Sequence, residues 1–137
     1  MYSIVVQAED NAGNIANSTT TISVDTTTPT IDVSVNGTTG SNGWYSSSMQ
    51  VSATSNDATS GVASLESSLD GGVYQAYTSP FSFADGYHTV QFKAVDRAGN
   101  ETETSIQEFY VDTIAPAVDL PAQWEVNDVI TYKVQDD

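Results

Sequence analysis

The chain has 137 residues, of which 39% are hydrophobic and 15% are charged, so it can supply the core of one domain with fragments attached. Eighteen acidic residues against three basic ones give a net charge of −15. That charge repels nucleic-acid phosphates and anionic membranes, and it attracts divalent cations. There is no cysteine, which excludes disulfides and thiol chemistry, and no apolar run approaches the roughly 20 residues of a membrane span.

The chain opens in strand-like sequence that soon recurs. Met1 leads into it without the basic and apolar regions of a signal peptide, so we expect any export signal to lie upstream of this segment. Residues 8–14 (AEDNAGN) return as 94–100 (AVDRAGN), and 24–26 (VDT) return as 111–113, with offsets of 86 and 87 residues. A fixed period indicates tandem repeats, here with one residue of slack between the two matches.

Seven short segments between Pro29 and Pro116 are bounded by Gly, Asn and Asp turns and show the alternation of half-buried strands. The alternation is clearest where His88, Val90, Phe92 and Ala94 share one face. No segment has a helical period. In chain order, the predicted strands A to G are 30–35, 49–55, 63–69, 73–77, 81–84, 87–96 and 103–111.

This strand pattern predicts an all-β fold, an immunoglobulin-like sandwich of seven strands in two antiparallel sheets. Residues 29–115 would be the complete repeat, 1–28 strands F and G of a preceding one, and 116–137 strands A and B of a following one. An isolated hairpin is marginal in water, so the central unit is expected to be the only part that folds autonomously. The end hairpins would fray or pair with another copy.

Six motifs follow one another in a fixed order along the chain. They are Gly43-Trp44-Tyr45, Ser60-Gly61-Val62, Leu69-Asp70-Gly71-Gly72, Gly86-x-His88-x-Val90, Asp96-x-Ala98-Gly99-Asn100 and Val111-Asp112-Thr113-x-x-Pro116. In this order they resemble the bacterial Ig-like repeats of large exported proteins, and the resemblance covers the whole chain.

The resemblance implies a location and a role. It implies an extracellular or cell-surface protein in which the unit is a structural spacer that supports adhesion or presents other domains. The alternative is a carbohydrate-binding or accessory module of a secreted polysaccharide-degrading enzyme. Neighbouring repeats are the expected partners, with a glycan or a surface receptor as further ones.

Few residues could carry catalysis. His88 is the only histidine, and its place at the start of strand F predicts a structural role at the corner, where immunoglobulin-like folds often bond a side chain to the backbone. Asp70 and Asp85 precede glycines and are interpreted as turn formers. Glu101, Glu103 and Glu108 should face solvent, and no apolar pocket frames a carboxyl pair. The chain is therefore predicted to be non-enzymatic.

Aromatic residues offer a second functional class, a flat surface on which sugars stack. The candidates are Trp44, Tyr45, Tyr74, Tyr77 and Trp124. Trp44 and Trp124 fall at matching repeat positions, which favours packing in the core over sugar binding.

Carboxylates should converge where one repeat meets the next. Because antiparallel strands alternate in direction, the entry to strand A lies at the same end as the B–C and F–G loops, and Asp70 and Asp85 lie at the other end. A calcium ion, which takes six to eight oxygen ligands, would suit this convergence. The alternative is that the motifs are simple turns and linkers. The predicted ligands are Asp25, Asn56, Asp57, Asp96 and Asn100 at the first junction, and Asp112, Asp136 and Asp137 at an incomplete second junction.

Overall fold

The computed structural model describes residues 1–117, which form 11 strands. No helix in this part of the chain is long and apolar enough to cross a membrane. The strands are β1 (Tyr2–Glu9), β2 (Ile15–Ile22), β3 (Thr30–Asn36), β4 (Trp44–Tyr45), β5 (Met49–Asn56), β6 (Val62–Leu69), β7 (Gln75–Ala76), β8 (Phe81–Phe83), β9 (Gly86–Asp96), β10 (Glu101–Glu103) and β11 (Gln107–Val111).

Two sheets form the sandwich. One has the order β3-β5-β8, and the other has the order β4-β11-β9-β6-β7 with β10 also paired to β9. All pairings are antiparallel except that of β4 with β11. The predicted immunoglobulin-like sandwich is therefore confirmed.

The core lies between the inner faces of these sheets, as the alternation predicts. On β5, every second residue is buried from Met49 to Ala53, and on β9 every second residue is buried from Val90 to Asp96. Phe92 is fully buried and lies edge-on to Tyr77, with ring centroids 5.4 Å apart. The other buried members of the cluster are Val51, Phe83, Phe109 and Val111. Burial of this apolar surface is the main stabilising term for the sandwich.

Only the central residues of the predicted strand D form a strand. They are β7, which pairs with β6. The cause is a tight turn in which the Gly72 amide donates to the Leu69 carbonyl (2.7 Å), so the chain folds straight back along β6. The Tyr77 amide then donates to the Leu65 carbonyl at 2.9 Å, which holds the returning segment there.

The predicted strand G is divided into β10 and β11 by an extra residue. Glu103 pairs with Lys93 and Gln107 pairs with Val90, so four steps on this strand match three on β9. Thr104 fills the interruption, because its hydroxyl accepts a hydrogen bond from the Phe92 amide at 3.0 Å. This bulge accounts for the one residue of slack between the two sequence matches.

The first two strands form a hairpin of their own. β1 and β2 pair without interruption from Tyr2 opposite Ile22 to Glu9 opposite Ile15, and all their residues are exposed. The assignment of 1–28 and 116–137 to neighbouring repeats stays a prediction, and 118–137 lie outside the described residues.

Candidate metal site

The loop after β9 is a turn that its own sequence builds. The Asp96 Oδ1 atom accepts hydrogen bonds from the backbone amides of Ala98 and Asn100, both at 2.8 Å, and Oδ2 accepts one from Asn100 Nδ2 at 2.7 Å. Gly99 supplies the positive φ of +94° that closes the turn. The residues Asp10 to Asn14 repeat this geometry at 2.8–2.9 Å, so the motif folds locally wherever it occurs.

The loop between β5 and β6 is organised around Asp57. Its Oδ1 atom accepts the backbone amides of Thr59 (3.1 Å), Ser60 (2.8 Å) and Gly61 (2.8 Å). The Gly61 carbonyl in turn accepts a hydrogen bond from the Arg97 amide at 2.9 Å. The two loops are therefore tied together at one end of the sandwich.

The linker before β3 is held against these loops by hydrogen bonds from Asn100, which together form a clasp. Asn100 Nδ2 donates to the carbonyl oxygens of Thr27 at 3.1 Å and Asp25 at 3.3 Å, while the Asp25 Oδ1 atom accepts the Thr27 amide at 3.0 Å. Pro29, two residues further on, is buried. This clasp fixes the position of Asp25 above the loops.

Three carboxylates meet at this point, from Asp25, Asp57 and Asp96. One oxygen of each lies within 4.8 Å of the other two. Asp96 is only 2% exposed. The Asp25 Oδ2 atom is buried and makes no hydrogen bond. Buried polar atoms in folded proteins nearly always have a partner, so an unpartnered carboxylate oxygen inside an acidic cluster points to a cation.

Asp25 and Asp96 stay ionised although their carboxylates lie close together. The nearby Ser60 hydroxyl, followed by the Thr27 amide, holds the pKa of Asp25 below its usual value, although burial and the charge of Asp96 oppose this. Burial also opposes ionisation of Asp96, but the hydrogen bonds from Asn100 and Ala98 outweigh it and lower the pKa. In the structure the Ser60 hydroxyl is bonded to Asp57 at 3.4 Å. The site is therefore negatively charged at neutral pH.

Within the described part of the chain, no basic side chain forms an ion pair with these three carboxylates. The ion pairs there join His88 to Asp70 and Lys93 to Glu66. Arg97 is exposed; its backbone amide bonds the Gly61 carbonyl, and its guanidinium lies beside Gly61 without forming an ion pair to any carboxylate that the structure describes. Calcium, a hard cation with flexible oxygen coordination, fits a site of this composition.

The remaining predicted ligands lie in different settings. The Asn56 side chain is exposed at the end of β5, and its carbonyl accepts a bond from Thr30 at 3.1 Å. Asn100 directs its amide nitrogen into the clasp, where it positions the linker. Asp112 repeats the turn of Asp25 because its Oδ1 atom accepts the Ile114 amide at 2.9 Å. Asp136 and Asp137 lie outside the described residues.

His88, Asp70 and Asp85 lie at the opposite end of the sandwich from the three carboxylates. His88 Nε2 lies 3.1 Å from the Ala84 carbonyl and its ring packs on Phe83, which is the predicted corner arrangement. Asp70 accepts the Thr89 amide at 2.8 Å, and Asp85 accepts the Thr113 amide at 3.0 Å. Both carboxylates are therefore engaged in loop contacts.

Trp44, Tyr45 and Tyr77, three of the aromatic candidates for sugar stacking, do not share one face, and Trp124 lies outside the described residues. Tyr45 and Tyr77 face the core, where Tyr45 packs on Phe109 and the Tyr77 hydroxyl accepts the Ala53 amide at 3.2 Å. Trp44, expected in the core, is instead exposed on the outer face of the sheet. The reason is strand parity: Trp44 and Tyr45 are adjacent on β4, so only one of them can point inward.

A family model for the bacterial Ig-like domain matches residues 27–113, which is more than half of the chain. The match includes Asp57 and Asp96, and Asp25 lies just before it. A comparison with curated proteins gives no match.

Proposed function

Because the chain belongs to the bacterial Ig-like domain family, we propose that it is a structural module of an extracellular or cell-surface repeat protein whose junctions are fixed by calcium. The module acts through length and stiffness, since each unit of such an array contacts its neighbours alone. Its task is to space or present other domains of the parent protein.

One observation carries the calcium proposal. The linker residue Asp25 lies within 4.8 Å of Asp57 and Asp96, which belong to two loops of the next unit. Its second carboxylate oxygen is buried without a partner. A cation there would bond linker and loops together, so the segment entering β3 could not pivot against the sandwich. Asp112 carries the same local turn at the exit of the unit, where it would serve the next junction.

The test is thermal unfolding of the 137-residue chain with EDTA or with calcium. Extracellular calcium modules have Kd values of about 10⁻⁴–10⁻³ M, so 10 mM calcium should stabilise the fold by roughly 1.4–2.7 kcal/mol. For a domain of this size, that corresponds to a rise in Tm of roughly 6–20 °C. Asp25→Asn should abolish the rise because it removes the linker carboxylate.

The matched control is Asp85→Asn, which changes a loop carboxylate at the other end of the sandwich and should keep the calcium response. Limited proteolysis gives a second readout, because calcium should slow cleavage within 23–28 in the wild type and in Asp85→Asn, and not in Asp25→Asn. A wild-type chain that does not respond to calcium, or a response that survives Asp25→Asn, would contradict the proposal.

A further inference from the structure

Three aromatic side chains form a row on the outer face of the larger sheet. Tyr110 on β11 pairs with Trp44 on β4 and with Tyr87 on β9 at the same level of the sheet. The ring centroids lie 5.4 Å apart for Trp44 and Tyr110, and 5.1 Å apart for Tyr110 and Tyr87. The row crosses two interstrand spacings and is therefore roughly 10 Å long.

The row is open to solvent and separate from the core. Trp44 is 42% exposed, Tyr110 39% and Tyr87 52%. The aromatic residues beside them in sequence, Tyr45 and Phe109, point the other way and pack against each other. An exposed cluster of large aromatic side chains is unusual on a protein surface and marks a binding surface.

The contact between successive units does not account for the row. By the repeat, Ser23 stands in the preceding unit where Tyr110 stands here, one residue before the Val-Asp-Thr linker. At the first junction Ser23 is exposed, and the linker meets the next unit through Asp25 and Thr27. A residue needed at every junction would not be replaced by serine, so Tyr110 is not needed for the contact between successive units.

Polar groups beside the aromatic row indicate which class of ligand it could bind. One step along the same face lie the exposed carboxylate of Glu108 and the hydroxyl of Thr89, which are paired across β11 and β9. Partial burial, and then the nearby Glu108 carboxylate, raise the pKa of the Tyr87 hydroxyl, which keeps it a neutral donor. Aromatic faces attract the C–H groups of a sugar ring through their quadrupole, and the polar groups beside them can bond sugar hydroxyls.

The net charge disfavours the competing occupants of the aromatic row. A net charge of −15 repels anionic polysaccharides, nucleic acids and a second copy of the chain. We propose that Trp44, Tyr110 and Tyr87 form a stacking surface for an uncharged polysaccharide. The surface is separate from the carboxylate cluster of the first junction, since Asp96 lies at the other end of β9 from Tyr87.

The experiment titrates the 137-residue chain with uncharged cellohexaose, xylohexaose and mannohexaose, and with anionic hexagalacturonate. Isothermal titration calorimetry gives the affinity. Tryptophan emission of a Trp124→Phe background reports on Trp44 alone, because the chain has two tryptophans. We expect at least one uncharged oligosaccharide to bind with a blue shift of emission, and hexagalacturonate to bind at least about tenfold more weakly.

Two variants should weaken the sugar binding. Trp44→Ala and Tyr87→Ser should each lower the affinity for the uncharged oligosaccharide at least about tenfold, because each removes one stacking face. Tyr2→Ala is the matched control, since Tyr2 is 63% exposed on β1 and away from the row, and it should leave affinity unchanged. An unchanged Tm of the variants shows that the fold is intact.

Several outcomes would overturn the proposal. They are the absence of binding to all three uncharged oligosaccharides, equal binding of hexagalacturonate, and affinity that survives both variants. Sedimentation velocity tests the remaining occupant: self-association of the wild type that is lost in Trp44→Ala would assign the row to contacts between copies.

Discussion

Asn100 is the residue through which the linker is held, and its removal tests the geometry of the junction. Its side-chain nitrogen donates to the buried Asp96 carboxylate at 2.7 Å and to the carbonyl oxygens of Thr27 (3.1 Å) and Asp25 (3.3 Å). Asn100→Ala deletes all three bonds and leaves Asp96 Oδ2 without its donor. A bond to a charged group contributes about 1.5–3 kcal/mol and a neutral bond about 0.5–1.5 kcal/mol, and such contributions are not additive.

We therefore expect Asn100→Ala to lower the free energy of unfolding by about 2–3 kcal/mol. For a domain of this size, the Tm should fall by roughly 10–20 °C. The measurement is chemical and thermal unfolding in EDTA, so that a metal ion does not contribute. Proteolysis within 23–28 should also accelerate, because the linker loses its clasp to the loops.

Asn14→Ala is the matched control. Asn14 makes the same bond to Asp10 in the same kind of turn, but it is exposed and holds no linker. Its removal should leave the unfolding of the sandwich unchanged. Equal effects of the two variants, or an unchanged rate of linker cleavage in Asn100→Ala, would refute the reasoning.

Three further predictions concern the core and the response to acid. Phe92→Ala should destabilise the sandwich by about 3–5 kcal/mol in urea unfolding, because a fully buried ring leaves a cavity at the centre of β9. Tyr77→Phe keeps the ring but leaves the Ala53 amide without its acceptor, so urea unfolding should show a loss of about 1 kcal/mol. The pKa values of Asp25 and Asp96 lie below the ordinary 3.8 when folded, so the unfolded chain takes up protons first as pH falls. The free energy of unfolding, measured in EDTA, should therefore be retained above pH 4 and fall on further acidification. The fall should be smaller in the double variant with Asn at positions 25 and 96.

The candidate site was predictable in its location and not in its composition. Strand direction alone brings Asp25, Asp57 and Asp96 to one end of the sandwich, because successive antiparallel strands reverse the chain. The sequence gives no signal that the Asn100 amide nitrogen faces the linker carbonyls, since either end of that amide could be turned inward. Ser60 was missed as well, because a serine in a loop resembles any other turn residue until its hydroxyl is placed beside carboxylates.

The aromatic row shows the same limit. The pairing of Tyr110 with Tyr87 follows from the register of β9 and β11, and that register depends on the bulge at Thr104. A bulge moves every later side chain to the next partner, so counting residues from the turn gives the wrong neighbours. Trp44 joins the row through a strand of two residues, which is too short to show an alternation pattern.

The sequence by itself determined the features that depend on neighbouring residues: the period-two burial of β5 and β9, the Asp-x-Ala-Gly-Asn turns and the order of the strands. These features are local because hydrogen bonds of a turn and alternation of a strand need only a few adjacent residues. Tertiary structure alone decided which edge received the 73–77 segment, which face Trp44 took and which oxygens met at the junction. Those outcomes depend on contacts between residues far apart in the chain, such as Asn100 and Asp25, and their energies are set only when the sheets have packed.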